Sequence, residues 1–175
     1  KLRDTSESHD RCSVVQIMGK NAGWVTLEAA IASGATTTVV PEVKFNFERD
    51  IIERFKRGKS YGKTSFIVAV SEGCFFDVPT NKNLEYLRSI GINNITDFAE
   101  KVEEATGVES REATFGHVQR GGIPTARDRV VATEMGYYAV ELLKKGISNR
   151  VVVMKNNKIT DFDILEALQM EKPFD

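Results

Sequence analysis

Cysteine, histidine and tryptophan are scarce in this chain, at two, two and one among 175 residues. Cys12 and Cys74 stand far apart, with no metal spacing around them, so neither a disulfide framework nor structural zinc is indicated. Both read as buried, inert thiols, since no histidine stands at a suggestive distance. Apolar runs are also short. None could serve as a signal or membrane segment, and together with the few thiols this points to a cytosolic protein. Charge of one sign is missing too: 24 Lys and Arg against 25 Asp and Glu leave a net charge of −1. No global field then draws the chain to nucleic acid or an anionic membrane, and any anion binding must be local. Repeats, low-complexity tracts and internal linkers are absent. What remains is 41% apolar residues, enough to build a core, in a chain the length of one ordinary domain, 1–175. The opening residue is Lys rather than Met, and the first residues read like the interior of a domain, so a fragment is expected.

The polar segment Asp4 to Asp10 has turn and capping character. Cys12 to Ile17, with adjacent valines, reads as a buried parallel strand. Met18-Gly19-Lys20-Asn21-Ala22-Gly23 then turns into a helix over about Trp24 to Ser33, with Leu27 and Ile31 facing the core and Gly34 as its stop. Thr37 to Val40 is a short strand closed by Pro41. Asn46 caps a helix carrying Phe47, Ile51 and Phe55 on one face. Gly58 to Thr64 looks superficially like a phosphate loop, but it joins a helix to a strand, Ser65 to Val70, and a P-loop needs the reverse order. Glu72 follows that strand, and spacing alone leaves it open between a structural and a binding carboxylate. The connection from Phe75 to Gly91 has room for a short helix. Asn94 caps a helix with Ile95, Phe98, Val102 and Ala105 in a stripe, stopped by Gly107. Arg111 to Phe115 alternates like a strand. Thr125 to Lys145 is the longest helix, with Val131, Met135, Tyr138 and Leu142 on one face. Strands Val151 to Met154 and Lys158 to Thr160 flank the turn Asn156-Asn157, and Ile164 to Met170 closes the chain as a helix. The alternation predicts an α/β fold with a doubly wound, mainly parallel sheet.

Between the last central strand and the long helix lies Gly116-His117-Val118-Gln119-Arg120-Gly121-Gly122-Ile123-Pro124. Taken piecemeal it could be a glycine-rich loop with a packed histidine and a solvated arginine. Taken together, His117 and Arg120 between glycines, at the carboxyl end of a strand and before a helix N-terminus, describe an anion-binding turn. Glycine lets the backbone approach a ligand. The two side chains add donors, and arginine's fork bonds two phosphate oxygens at once.

This nonapeptide, followed by Asp128-Arg129, resembles the sugar-phosphate signature of the 6-phosphofructokinases. The upstream stretches Lys1 to Arg11 and Val14 to Gly23 are similar to the same family in order and spacing, and the likeness runs to about Phe174. It covers that family's C-terminal half. The resemblance implies a sugar-phosphate-binding lobe in which Met18, Gly19, Glu72, His117 and Arg120 contact fructose 6-phosphate from one chain, while Arg11 and Arg111 reach in from a neighbour in a homotetramer. It makes Lys20 a stabiliser of the phosphoryl group in transit, and assigns Arg3, Gly34 and Lys63 to a separate effector site. Mg and ATP belong to the parent enzyme, with their sites, the catalytic base and the glycine-rich nucleotide turn in a half that has no counterpart here. No metal ligands are assigned in this chain. The lobe is therefore expected to bind sugar phosphate without turnover, and to show an apolar face where the other lobe belongs.

Some positions depart from the family pattern. Lys20 replaces the usual arginine, keeping charge and losing the fork. Thr36 stands in place of an acidic metal ligand, and Tyr61 and Ser65 in place of basic residues, which puts nucleotide or phosphoenolpyruvate control in question. Phe75 to Gly91 is longer than the pattern. A pyrophosphate-dependent relative and a non-catalytic sugar-phosphate-binding module are the alternative readings.

Overall fold

A single strand with both faces covered organises the first part of the chain. In the computed structural model, which describes residues 1–170 and Phe174, β1 (Cys12–Ile17) lies between β3 (Phe66–Ser71) and β4 (Ser110–Phe115), with β2 (Thr37–Val39) outside β3. All three pairings are parallel. Burial on both sides explains why Val14, Val15, Val68, Ala69 and Val70 form nearly unbroken apolar runs. One face carries the main core, where Val14, Phe66 and Val68 meet Phe55 of α3 (Glu53–Ser60) and Phe98 and Val102 of α5 (Ile95–Thr106). The other face packs on α1 (Leu2–Ser8) and α2 (Trp24–Ser33). This is the expected doubly wound sheet.

The chain divides into two compact units, Lys1–Arg120 and Gly121–Asp175. The second has its own packing scheme. β5 (Arg150–Lys155) and β6 (Lys158–Asp163) form an antiparallel hairpin whose turn residues Asn156 and Asn157 both take positive φ, as a type I′ turn requires. On α6 (Ala126–Lys144) the less exposed residues include the predicted stripe Val131, Met135, Tyr138 and Leu142, and the Tyr138 hydroxyl donates to Asp161 of β6 at 2.7 Å. The last helix, α7, spans Ile164–Gln169.

Three expectations change. Asp4 to Asp10 is no turn: most of it lies in α1, a polar helix with no apolar stripe, which docks through Ser6, whose hydroxyl lies 2.6 Å from that of buried Ser13. On α2 the inward residues are Thr26 and Ala30, while Ile31 is 71% exposed. Small side chains let this helix lie close against the sheet. On α5, Ala99 joins Ile95, Phe98 and Val102 inside, and Ala105 is exposed. The long connection holds α4 (Leu84–Ser89), and the helix after Asn46 opens with a π-helical turn, Glu48–Ile52, before α3.

That π-helical turn contains Asp50, a buried carboxylate with a full set of donors. Arg49 reaches it through Nε at 2.7 Å and Nη2 at 2.6 Å, and the Asn46 amide donates at 2.9 Å. Burial pushes the Asp50 carboxyl up, but these donors outweigh it and hold its pKa below the usual carboxylate range. A depressed folded-state pKa contributes stability above the unfolded value, about 3.9, and that contribution is lost as pH falls through the folded value. An acid-unfolding series should therefore show Asp50→Asn less stable than the parent near neutrality, with the gap closing below about pH 4. A gap constant with pH would assign the loss to packing alone.

Candidate functional site

Adjacent strands β1 and β3 send the chain to opposite faces of the sheet, β1 towards α2 and β3 towards α5. Loops that part in this way leave a crevice at the carboxyl ends, the usual place for a ligand in an open α/β sheet. Both ladders of β1 end at Ile17, paired with Ser71 on one side and Phe115 on the other. The next two amides are taken by side chains. Met18 N–H donates to Gln119 Oε1 at 2.9 Å, and Gly19 N–H donates to Glu72 Oε1 at 3.0 Å.

Gly19 has φ +147, and a Cβ there would lie 2.5 Å from the Ala22 carbonyl oxygen. Its own carbonyl accepts from the Ser71 hydroxyl at 3.2 Å. Further along, Glu42 Oε1 accepts the Gly23 N–H at 2.8 Å, and the Thr80 hydroxyl donates to the Asn21 carbonyl at 2.9 Å. The loop 18–23 is thus tied by five side chains from four places in the sequence. Lys20 extends into solvent, its Nζ 5.6 Å from the centre of the Phe76 ring, a cation–π contact that leaves the charge at the rim of the site.

His117 and Arg120 sit in a short 3-10 turn immediately after β4, both exposed, with Gln119 half-buried between them. Exposed donors at the carboxyl end of a strand are available to an anion. The helix that follows is less open to one than expected. Thr125 and Asp128 form a reciprocal capping box at the N-terminus of α6, so a carboxylate already occupies that positive end.

Arg11 and Arg111 lie elsewhere. Both precede or open strands at the amino end of the sheet, where they converge on Glu109: Arg11 Nε lies 2.9 Å from Oε2 and Arg111 Nη2 2.7 Å from Oε1. Hydrogen bonding from Arg11 lowers the pKa of the Glu109 carboxyl, with Arg111 adding to the effect. Within one chain these arginines do not meet Glu72 or the 18–23 loop.

Arg3, Gly34 and Lys63 form a third group, also near the amino end. Arg3 donates to the carbonyls of Ser33 and Gly34, the second at 3.1 Å, and Gly34 takes φ +63 at the end of α2. Lys63 Nζ donates to the Thr36 hydroxyl at 2.9 Å, so Thr36 faces a cation here. Burial, then the neighbouring Arg3 charge, lowers the Lys63 pKa. Among the described residues no group of three or more His, Cys, Asp or Glu side chains is placed to hold a metal ion. No helix among them is long and apolar enough to cross a membrane.

A parallel sheet with helices on both faces and its polar loops gathered at one carboxyl edge defines an open α/β protein of the doubly wound class. The phosphofructokinase family model matches residues 1–143. An ATP-dependent 6-phosphofructokinase from Clostridium botulinum is 42% identical over all 175 residues, and one from Bacillus cytotoxicus 41%; in each case the chain spans 49% of the relative. The solved phosphofructokinase of Saccharomyces cerevisiae superposes with a TM-score of 0.80 at 27% identity, covering 96% of this chain and 22% of that one. The chain belongs to the phosphofructokinase family, and it spans about half the length of the curated relatives it matches.

Sequence reasoning missed Gln119, Ser71, Glu42 and Glu109. Gln119 was legible only as part of the signature. The others act on backbone atoms or on residues distant in sequence, for which no local pattern exists.

Proposed function

We propose that this chain is the sugar-phosphate-binding part of an ATP-dependent 6-phosphofructokinase, which transfers a phosphoryl group to fructose 6-phosphate. The observation that carries this reading is the shared edge of the sheet: the Glu72 carboxylate and the Met18-Gly19 backbone stand beside the turn bearing His117 and Arg120. A carboxylate and backbone groups suit sugar hydroxyls, and the arginine fork with a histidine suits the phosphate. Lys20 at the rim adds positive charge where a transferred phosphoryl group would pass.

Arg11 and Arg111 complete the phosphate contacts of a neighbouring subunit, which explains why they are held together yet apart from Glu72, and implies a homotetramer. Arg3, Gly34 and Lys63 form an effector site in which Thr36 replaces an acidic side chain. ATP, magnesium and the catalytic base belong to the half of the enzyme for which this chain has no counterpart. A groove of about 630 Å³ lined by Val15, Ile17, Ile67, Ala69 and Phe115 offers that half an apolar face. A glycolytic enzyme of this kind works in the cytoplasm.

Calorimetric titration with fructose 6-phosphate tests the reading. The parent should bind, and Arg120→Ala combined with His117→Ala should lower affinity by at least about 100-fold, the loss of two charge-assisted phosphate contacts. Equal affinity in both would remove the signature turn from the site.

A further inference from the structure

We infer that Gln119 is a positioning residue that couples the phosphate-binding turn to the sugar-binding loop, a role that rests on the proposed function above. Its side chain crosses from the turn after β4 to the amide that follows β1, residues 101 positions apart. The backbone ladder between β1 and β4 has ended one residue earlier, at Ile17 and Phe115. The glutamine therefore replaces the next backbone acceptor and extends the pairing past the end of the strands.

The orientation of the amide is fixed by its partner. Met18 N–H can only donate, so the Gln119 oxygen must face it. Glu72 makes the matching bond to Gly19 from the turn that follows the other neighbouring strand, β3. Met18 and Gly19 are thus bracketed by one acceptor from each side. The two differ in charge, and the difference is functional. A carboxylate on the His117–Arg120 side would repel the phosphate that this turn is proposed to hold, whereas glutamine gives the same acceptor oxygen without charge.

Gln119 is itself held. Its backbone N–H donates to the Gly116 carbonyl at 3.1 Å, closing the short turn that presents His117 and Arg120. Side chain and main chain of one residue thereby fix the spacing between the two ligand-binding segments. Displacement of either by about 1 Å is enough to cost binding or chemistry on the order of 100-fold.

Two substitutions separate the hydrogen bond from the charge. Gln119→Met keeps length and removes the acceptor; Gln119→Glu keeps an acceptor and adds charge. Amide hydrogen exchange at Met18, measured without ligand, should quicken by about five- to tenfold in Gln119→Met, the effect of losing one hydrogen bond, and stay near the parent value in Gln119→Glu. Unchanged exchange in Gln119→Met would overturn the clamp whatever the ligand does. Affinities for fructose 6-phosphate and inorganic phosphate then read the coupling. In the parent the sugar phosphate should bind more tightly than phosphate, and in Gln119→Met this preference should collapse while phosphate itself still binds. Gln119→Glu should weaken both ligands. A preference retained in Gln119→Met would also overturn the coupling. If the parent shows no preference while Met18 exchange responds as expected, the clamp stands and the sugar-phosphate reading falls.

Discussion

Replacing Asn83 with alanine is expected to cost about 3–5 kcal/mol of stability, from two buried backbone groups and a part-buried one losing their partner at once. Asn83 is 1% exposed. Its Oδ1 accepts the Phe45 N–H at 2.9 Å, and its Nδ2 donates to the carbonyls of Val40 and Val43 at 2.8 and 2.9 Å. Asn81, two residues earlier, does the same for another loop, donating to the carbonyls of Gly73, Cys74 and Phe76. The loop from Val40 to Phe45 has no ladder of its own, because β2 ends at Val39. One amide supplies what a strand neighbour would have supplied. Against a total stability of about 5–15 kcal/mol for a domain, the loss is a large fraction. Urea unfolding should show the midpoint falling with little change in slope. Asn83→Asp should be nearly as damaging, since it keeps the acceptor and turns the donor into a charge facing two carbonyls. A loss below about 1 kcal/mol in Asn83→Ala would mean that water reaches the loop and takes over the bonds.

The consequence extends to the site. The loop held by Asn83 includes Glu42, which accepts the Gly23 N–H at the start of α2. Gly23 cannot be other than glycine without movement, because a Cβ there would lie 2.5 Å from that of Val40. Loosening the Asn83 loop therefore loosens the far end of the 18–23 segment. Stability and ligand geometry are linked through one buried asparagine.

Much of the sheet was legible because its signals are local. Apolar runs bounded by polar turns located the four central strands to within one residue, while β6 runs three residues past its expected end at Thr160, and Gly34 and Gly107 stop their helices in the left-handed conformation expected of them. Asn94 caps α5 through the amides of Thr96 and Asp97. Where signals were absent or misleading, tertiary packing decided. α1 has no apolar period to detect, because a serine pair replaces the usual buried side chain. α2 has apolar residues on both sides, and the small Thr26 and Ala30 won the inner face because a close approach to the sheet favours them over Ile31.

The site divides in the same manner. His117 and Arg120 are contiguous chemistry in a glycine-framed turn, which a sequence displays openly. Arg11 and Arg111 stand at the amino end of the sheet, where they pair with Glu109. What the sequence concealed is the support for that chemistry. Glu42, Ser71 and Gln119 act on main-chain groups of the 18–23 loop, and main-chain groups are the same at every position. Only the fold shows which acceptor meets which amide.

The most severe effect on ligand binding is expected from Gly19→Ala. Two constraints coincide at this residue. Its φ of +147 lies where side-chain-bearing residues are strained, and a Cβ would stand 2.5 Å from the backbone oxygen of Ala22. Neither conflict can be relieved by turning a flexible side chain. The backbone must rotate, and rotation turns the Gly19 N–H away from Glu72 and the carbonyl away from Ser71. Gly73 is under the same constraint, since a Cβ there would lie 2.9 Å from the Gly19 carbonyl oxygen. Strain of about 1–3 kcal/mol is therefore placed at the centre of the loop. Fructose 6-phosphate affinity should fall on the order of 100-fold or more, as expected for groups displaced by an ångström. The main core on the opposite face of the sheet is not involved, so far-UV circular dichroism should keep its shape. Gly62→Ala is the control: that glycine also has positive φ, at +79, but no atom lies within 4 Å of the added carbon. It should cost stability without touching affinity. Equal loss of binding in both variants would assign the Gly19 effect to general destabilisation; binding within twofold of the parent in Gly19→Ala would show that the ligand does not use this loop.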